Sequence, residues 1–490
     1  MLKSLLSRIL NIDAVQRQSI ISLFWQLAIT AIGFGSTMYF AHAVGAGVLG
    51  AYFLLLAYFS IFSLVSDGGF GGATIKRISE GEEQDEYFSA FFMLRSLFMI
   101  LTLLVLIIFK NYFIDLNNSG LFIWLLLMII ISVFQGGVGI GVSGRGKMGI
   151  RATCNAITII SSIIFQVIAI YLGYGAAGLA GGMVAGLLLG SIIEFRFFDL
   201  HLVWFKWQHI KSLFVFAFWL FLSSGGALVF LQADTVLIGY FMENSDVGVY
   251  RVVLQFTMAA TFTTYALRTT LWPKVSRWGK SGEVHLVEKS LARAFSYSLI
   301  LAIPVLTGGI LLGDKLLYFF YGSEFSSGYK TLVILLAVQV VNVFQFFFTM
   351  YLDALNYPKE SFKVTAIAAA ANIVLDILLI PLFGILGAAV ATLLSMILNA
   401  TLARNALSKI ISITVERNSL LNIAKASAAM ALFLGFYRWF VPLSNVWLTL
   451  LPVAIGGGIF CILILKLDKK IYDDMRTIVI QMNLPWPYWM

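Results

Sequence analysis

The chain has 490 residues, of which 60% belong to the hydrophobic set AVILMFWYC and only 12% are charged. Ordinary soluble domains carry about 25% charged residues, and a soluble chain this apolar would have too little polar surface to stay in solution. A lipid bilayer removes that conflict because lipid solvates apolar surface. The composition therefore predicts an integral membrane protein, and a chain of this length has room for many membrane spans.

Segments long and apolar enough to cross a bilayer follow one another along the chain. A spanning helix needs about 20 mainly apolar residues, because its backbone polar groups must bond to one another in lipid. We predict an all-α integral membrane protein with about 14 transmembrane helices, of which 246–271 and 290–312 are the least regular because they contain arginines. The segments are 19–41, 47–66, 87–109, 121–142, 152–172, 177–198, 212–232, 246–271, 290–312, 331–352, 362–381, 385–404, 419–440 and 445–466.

The first segment is followed by Ala41-His42-Ala43, which matches a signal-peptide cleavage pattern. The apolar part of a signal peptide is only about 7–15 residues long, and this segment is longer. More apolar segments follow it instead of a soluble domain. We therefore predict an uncleaved first span.

The basic residues alternate between the two sides of the membrane. With the N-terminus in the cytoplasm, only 5 of the 33 lysines and arginines fall outside, and cytoplasmic loops are known to carry the excess of such residues. The pattern predicts a cell-membrane protein with both termini in the cytoplasm. The net charge of +9 then reflects topology and contact with anionic headgroups, not nucleic-acid binding. The five outer residues are Lys110, Arg251, Lys315, Lys330 and Arg438.

Short motifs recur at offsets of about 200 residues. Because six spans return the chain to the same side, such a repeat predicts two six-helix lobes of like orientation. We predict lobes at 1–211 and 212–410, with an extra helix pair and tail at 411–490. The paired motifs are Leu49-Gly50-Ala51-Tyr52 with Val247-Gly248-Val249-Tyr250, Arg77-Ile78-Ser79 with Lys274-Val275-Ser276, Lys147 and Arg151 with Lys359 and Lys363, and Gly175–Gly178 with Gly384–Gly387.

Several stretches resemble the polysaccharide (O-antigen, Wzx-like) flippases of the multidrug/oligosaccharidyl-lipid/polysaccharide exporter superfamily. The similarity runs across nearly the whole chain, and its motifs are typical of the family but not of one substrate. The stretches that carry it are Ser66-Asp67-Gly68-Gly69-Phe70 with Arg77, Gln232 to Gly239 running on to Tyr250, Phe320-Tyr321-Gly322 with Phe325, and Asn372 through Pro381 to Gly387.

The resemblance implies two six-helix lobes around a central cavity, alternating access, and a sugar chain on a polyprenyl (di)phosphate as cargo. It also implies a transporter for O-antigen-like surface polysaccharide, with membrane lipids and glycosyltransferases or a polymerase of the same pathway as partners. Two alternatives within the superfamily stay open, namely a cation-coupled drug exporter and a peptidoglycan-precursor flippase. A membrane-embedded glycosyltransferase is disfavoured, because no long loop carries catalytic acidic residues.

Ionisable residues inside spans are expensive and therefore indicate function. An arginine can pair with phosphate oxygens through two hydrogen bonds. We therefore expect some of the candidates Arg95, Arg268 and Arg293 to face the cavity and hold the head group of the cargo. Snorkelling to the inner interface is the alternative for all three. Asp234 and Asp353 are candidates for a coupling or structural acid, whereas we expect Asp67 and Asp376 to be structural.

The sequence indicates no metal site and no cofactor. The two cysteines, Cys154 and Cys461, lie in apolar segments, and the four histidines lack the spacing of metal ligands. Gly141 to Lys147 matches the first part of a nucleotide-binding P-loop. Met148 stands where that loop needs a Ser or Thr for magnesium, so we predict a basic cytoplasmic turn.

Overall fold

The computed structural model describes residues 14–481, and the described chain is 88% helical with no strands. It divides into two compact units, one ending at Gly248 and the other beginning at Val249. The fold class predicted from the sequence is confirmed. The lobe boundaries at 211 and 410 rest on the internal repeat and stay a prediction.

The first unit is built from eight helices that end before Asn244. A short 3₁₀ turn, Lys110–Tyr112, follows the third of them. The helices are α1 (Ala14–Asp67), α2 (Phe70–Ser79), α3 (Gln84–Ile108), α4 (Ile114–Asn118), α5 (Phe122–Gly144), α6 (Met148–Tyr171), α7 (Gly175–Phe195) and α8 (Trp207–Phe241).

The unit boundary falls within helix α9 (Asn244–Thr257). The second unit continues through two 3₁₀ turns, Met258–Thr261 and Ser323–Gly328. Its remaining helices are α10 (Phe262–Ser281), α11 (Val284–Tyr321), α12 (Tyr329–Ala354), α13 (Pro358–Phe383), α14 (Ile385–Leu407), α15 (Arg417–Phe440), α16 (Val446–Leu467) and α17 (Lys469–Gln481).

Within residues 14–481, eleven helical segments are long and apolar enough to cross a membrane, so the protein is a multi-pass membrane protein. These segments overlap every predicted span except those at 212–232 and 246–271. The first of them, Phe24–Asp67, overlaps two predicted spans. The helices also run past several predicted ends, because hydropathy marks the lipid-facing part of a helix and not its ends.

Helix α1 joins the first two predicted spans without a loop. Its only break is Gly45, at φ 75° and ψ 177°. This conformation is open to glycine at no steric cost. A single residue therefore makes the kink between the two helices, where the predicted spans left a short loop at 42–46.

Helices α6 and α7 pack closely because one face of α7 is glycine. A Cβ atom at Gly186 would lie 1.9 Å from Ser162 Oγ, and one at Gly190 would lie 1.8 Å from Thr158 Oγ1. Small residues at such positions let membrane helices approach closely. The glycine-rich run of α7 thus serves helix packing.

The segment between α7 and α8 is held against the start of α3. Asp85 Oδ1 accepts from the backbone N–H of His201 at 3.0 Å, and Ser89 Oγ accepts from that of Val203 at 2.8 Å. His209 Nε2 lies 3.0 Å from Glu83 Oε2. Beneath these contacts, buried side chains of α2, α3 and α8 form one hydrophobic cluster. The start of α8 is therefore fixed to the first unit.

Candidate functional site: arginine–carboxylate pairs within the helices

Arg95 is buried within the first unit. Only 5% of its surface is exposed. Its Nη1 lies 3.3 Å from Asp67 Oδ1, and its Nη2 donates to the carbonyl oxygen of Ser132 at 3.1 Å. The guanidinium also lies 5.7 Å from the ring centre of Phe91. Its charge is thus compensated by a carboxylate, a carbonyl dipole and an aromatic face, which is what a charge buried among helices requires.

The Asp67 carboxylate reaches Arg95 because helix α1 ends there. Gly68 and Gly69 have φ of 57° and 76°, in the left-handed region that favours glycine. They turn the chain into α2, whose Gly71 N–H donates to Asp67 Oδ2 at 3.2 Å. The motif Ser66 to Phe70, which is typical of the family, therefore supplies the carboxylate of this ion pair. This agrees with the expectation that Asp67 has a structural role.

A second pair, Arg151 with Glu194, was not singled out in the sequence. Arg151 Nη1 lies 2.5 Å from Glu194 Oε2. Glu194 is 1% exposed, whereas the Arg151 side chain is 32% exposed. In the charge pattern, Arg151 is one of the many basic residues on the cytoplasmic side. The available signal was Glu194, a carboxylate within the predicted span 177–198.

Both arginines lie against glycines of helix α5. A Cβ atom at Gly136 would lie 2.3 Å from Arg95 Nη1, and one at Gly139 would lie 2.1 Å from Arg151 Nη1. These glycines are three residues apart and so share one helix face. Glycine is needed at both positions because the guanidinium groups occupy the space that a side chain would fill.

Arg268 is the most exposed of the three predicted head-group arginines. It lies on α10, with its guanidinium carbon 5.6 Å from the ring centre of Trp272 and 5.7 Å from that of Phe346. Only Thr264 and Val275 are buried on this helix. A cation over aromatic faces gains attraction without losing its hydrogen-bonding edges, so Arg268 can still bind an anion.

Asp353 accompanies Arg268 in the second unit. Its carboxylate is half-buried, hydrogen-bonds with Ser361 and lies within electrostatic range of Arg268. The predicted acid and the predicted arginine are therefore near one another.

The predicted span at 246–271 is not one continuous α-helix. A 3₁₀ turn at Met258–Thr261 separates α9 from α10. Beside the break, Gln339 Nε2 donates to Thr257 Oγ1 at 3.2 Å, and Asn342 Nδ2 donates to Gln339 Oε1 at 3.2 Å. Interrupted helices at membrane depth are tolerated where they are buried in protein or line a water-filled cavity, and they often mark binding sites.

Arg293 belongs to a different group of side chains. It lies half-buried on α11, within electrostatic range of Tyr297. Tyr297 donates its hydroxyl hydrogen to Asp474 of α17. The side chains therefore place Arg293 near α17.

Asp234 is buried on α8, at 8% exposure.

Three further polar side chains are buried on α13 and α14. Asn372, Asp376 and Asn399 are each at most 2% exposed. Both amide atoms of Asn372 and Oδ1 of Asn399 have no hydrogen-bond partner among the described residues. Across residues 14–481, no group of three or more His, Cys, Asp or Glu side chains could hold a metal ion.

Residues 141–144 belong to the end of α5, and the basic turn that follows at 145–147 is tied to the chain after α7. Lys147 Nζ donates to Asp199 Oδ2 at 2.9 Å and to the carbonyl oxygen of Phe197 at 3.1 Å, and Arg145 Nε lies 3.3 Å from Asp199 Oδ1. Partial burial raises the pKa of Asp199, but the Lys147 hydrogen bond and the two positive charges outweigh it and lower that pKa overall. Lys147 is thus engaged in a structural contact.

The family model described as "Polysaccharide biosynthesis protein" matches residues 47–330. Because this match covers more than half of the chain, the protein belongs to that family. The resemblance found in the sequence is confirmed. Two of its relatives are both from Haloferax volcanii. "Probable low-salt glycan biosynthesis flippase Agl15" is 29% identical over 371 residues, which cover 76% of this chain and 78% of the relative. "Probable flippase AglR" is 25% identical over 461 residues, covering 92% and 95%.

Solved structures show the same fold. The structure titled "Lipid II flippase MurJ, inward closed conformation" has a TM-score of 0.78 and 19% identity, covering 93% of this chain and 99% of the other. An inward-facing multidrug transporter of the MATE family has a TM-score of 0.64 and 13% identity, covering 80% and 98%. The expectation of a transporter and not an enzyme agrees with the names of these relatives.

Proposed function

We propose that the protein is a flippase that moves a polyprenyl-(di)phosphate-linked oligosaccharide from the inner to the outer leaflet by alternating access. The cargo serves the assembly of surface polysaccharide or another glycan. Such a molecule cannot cross unaided, because its phosphates and hydroxyls are costly to remove from water. Its hydrocarbon tail already prefers lipid, so the protein has to shelter only the head.

The observation that carries this proposal is the exposed guanidinium of Arg268, stacked on Trp272 and Phe346 within a segment predicted to span the membrane. Arg268 lies three residues before the cytoplasmic end of the predicted span 246–271, where an exposed charge is costly in lipid, so we infer that it faces a hydrated space. Aromatic faces beside a charged donor suit a sugar–phosphate head. Membership of the polysaccharide biosynthesis family and the names of the two Haloferax relatives support the same cargo class.

Within this proposal, Arg95, Arg268 and Arg293 are the candidates for holding the anionic head, and Asp234 and Asp353 are candidates for coupling or for structural pairing. The protein lies in the cell membrane with both termini in the cytoplasm. It works beside glycosyltransferases or a polymerase that make and use the same lipid-linked glycan.

The test is translocation in proteoliposomes that carry a lipid-linked oligosaccharide with a labelled sugar. We expect the protein to move label from the inner to the outer leaflet, and we expect depleted cells to accumulate the lipid-linked glycan on the inner leaflet. If the protein moved labelled drug-like cations and did not move the glycan, the proposal would be contradicted.

A further inference from the structure

The pair formed by Arg151 and Glu194 is asymmetric in its exposure. The carboxylate side chain is 1% exposed, whereas the guanidinium side chain is 32% exposed. Glu194 uses Oε2 to hold Nη1 of Arg151, and its Oε1 has no hydrogen-bond partner among the described residues. The acid is hidden in the protein while the arginine keeps part of its donor edge open.

The orientation of Arg151 is fixed from two sides. Glu194 of α7 holds Nη1, and the guanidinium lies against Gly139 of α5, where a Cβ atom would come within 2.3 Å of Cζ. A planar group held in this way loses little conformational freedom when it binds an anion, since that freedom is already restricted. Arg151 is therefore preorganised for binding.

Two guanidinium groups share one face of α5. Arg95 lies against Gly136 and Arg151 against Gly139, and the two arginines are close enough to interact electrostatically. Like charges at such a distance repel, and an anion placed nearby lowers that energy. The glycines of α5 therefore bring two guanidinium groups together, and the one that stays partly exposed, Arg151, is the one that an anion can reach.

Arg151 lies in the first turn of α6, just after the loop that the charge pattern places in the cytoplasm. A lipid-linked glycan in the inner leaflet carries its phosphates at about this level. We propose that Arg151 binds the (di)phosphate of the substrate, and that Glu194 is a positioning residue that orients the guanidinium. This inference rests on the proposed function and names the substrate group that the first unit recognises.

The experiment measures binding of a sugar-free polyprenyl diphosphate to the full-length protein in phosphatidylcholine nanodiscs. Arg151→Ala is expected to weaken binding roughly ten- to a hundredfold, the range of a charge-assisted hydrogen bond. Arg151→Lys keeps the positive charge but lacks the planar, two-pronged donor group of arginine. Its affinity for the probe is expected to lie between those of the wild type and Arg151→Ala. Unchanged affinity in Arg151→Ala would overturn the inference.

Arg145→Ala is the matched control. The Arg145 side chain is also 32% exposed and is also paired with a carboxylate, that of Asp199. We expect this variant to bind the probe as the wild type does. A loss equal to that of Arg151→Ala would show unspecific attraction at the cytoplasmic face and would overturn the inference.

Glu194→Gln separates binding from structure. The amide keeps an acceptor for Arg151 and removes a competing negative charge, so affinity for the probe is expected to equal or exceed that of the wild type. A loss as large as that of Arg151→Ala, together with a lowered unfolding temperature in both, would reduce the pair to a structural role.

A competition experiment distinguishes a site for the substrate diphosphate from a site for ordinary lipid headgroups. We expect phosphatidylglycerol, added in equal amount, to leave the probe bound, because its single phosphate diester carries less charge than a diphosphate. Equal displacement would show a site for ordinary lipid headgroups and overturn the inference. A wild-type protein that ignores the probe would refute the proposed function itself, whereas binding that is insensitive to Arg151 refutes only this inference.

Discussion

Arg95 Nη1 lies 3.3 Å from Asp67 Oδ1, and this contact joins helix α3 to the end of helix α1. The same guanidinium bonds to the Ser132 carbonyl oxygen on α5. One buried side chain thus links three helices of the first unit. Its removal should therefore affect both stability and transport.

We predict that Arg95→Ala lowers the free energy of unfolding by up to about 3 kcal/mol, because it leaves Asp67 without its cation. The double variant Arg95→Met with Asp67→Leu should recover much of that stability, since no unpaired charge stays buried. Thermal unfolding in detergent and glycan export at matched expression are the measurements. If Arg95 holds the head group, the double variant stays inactive; wild-type export by it would assign Arg95 to structure alone.

Gly136→Ala should displace the Arg95 guanidinium without removing it. The new Cβ would lie 2.3 Å from two guanidinium nitrogens, and overpacking of this kind costs about 1–3 kcal/mol. We expect a lower unfolding temperature and reduced export. Gly457→Ala is the control, because no atom lies within 4 Å of its Cβ position. Equal behaviour of the two variants would show that Arg95 can move freely.

Arg268→Ala is expected to abolish most transport while leaving the unfolding temperature nearly unchanged, because the side chain is exposed and its stacking on Trp272 and Phe346 contributes only about 0.5–1 kcal/mol. Arg277→Ala, an exposed arginine on the same helix, should keep wild-type transport. The measurement is export of the lipid-linked glycan by both variants at matched expression, which shows whether transport needs Arg268. Full export by Arg268→Ala would remove the main support for a hydrated head-group site.

The contacts of Asp199 should weaken in acid. Its pKa is lowered in the folded protein, so its contribution to stability is present above the ordinary aspartate pKa of about 3.9 and is lost as the pH falls through the folded pKa. We expect the protection factors for hydrogen exchange in the 196–206 segment, corrected for the intrinsic pH dependence of exchange, to fall at low pH in the wild type. Asp199→Asn should show low protection factors already at neutral pH. Equal pH profiles for the two proteins would contradict this assignment.

The sequence predicted Asp67 as a structural acid and Arg95 as a head-group arginine, but it could not show that they form one pair. Their spans are neighbours, and the Gly68-Gly69 turn that brings the carboxylate to Arg95 depends on backbone conformation. Arg151 is a residue that the sequence did not single out and the structure did. A topology count treats every basic residue at a helix start alike, and only the fold reveals that this one lies against Gly139 and a buried glutamate.

The sequence by itself determined the membrane class, the helical fold and the family. These follow from the apolar load, from the requirement that backbone groups in lipid bond within the helix, and from motifs along the chain. Only the tertiary structure decided the details. A kink at Gly45 separates the first two spans, a 3₁₀ turn interrupts the eighth span, and Arg293 lies near Tyr297, which bonds to α17. Hydropathy records whether a residue suits lipid, whereas pairing of charges depends on which helix faces meet.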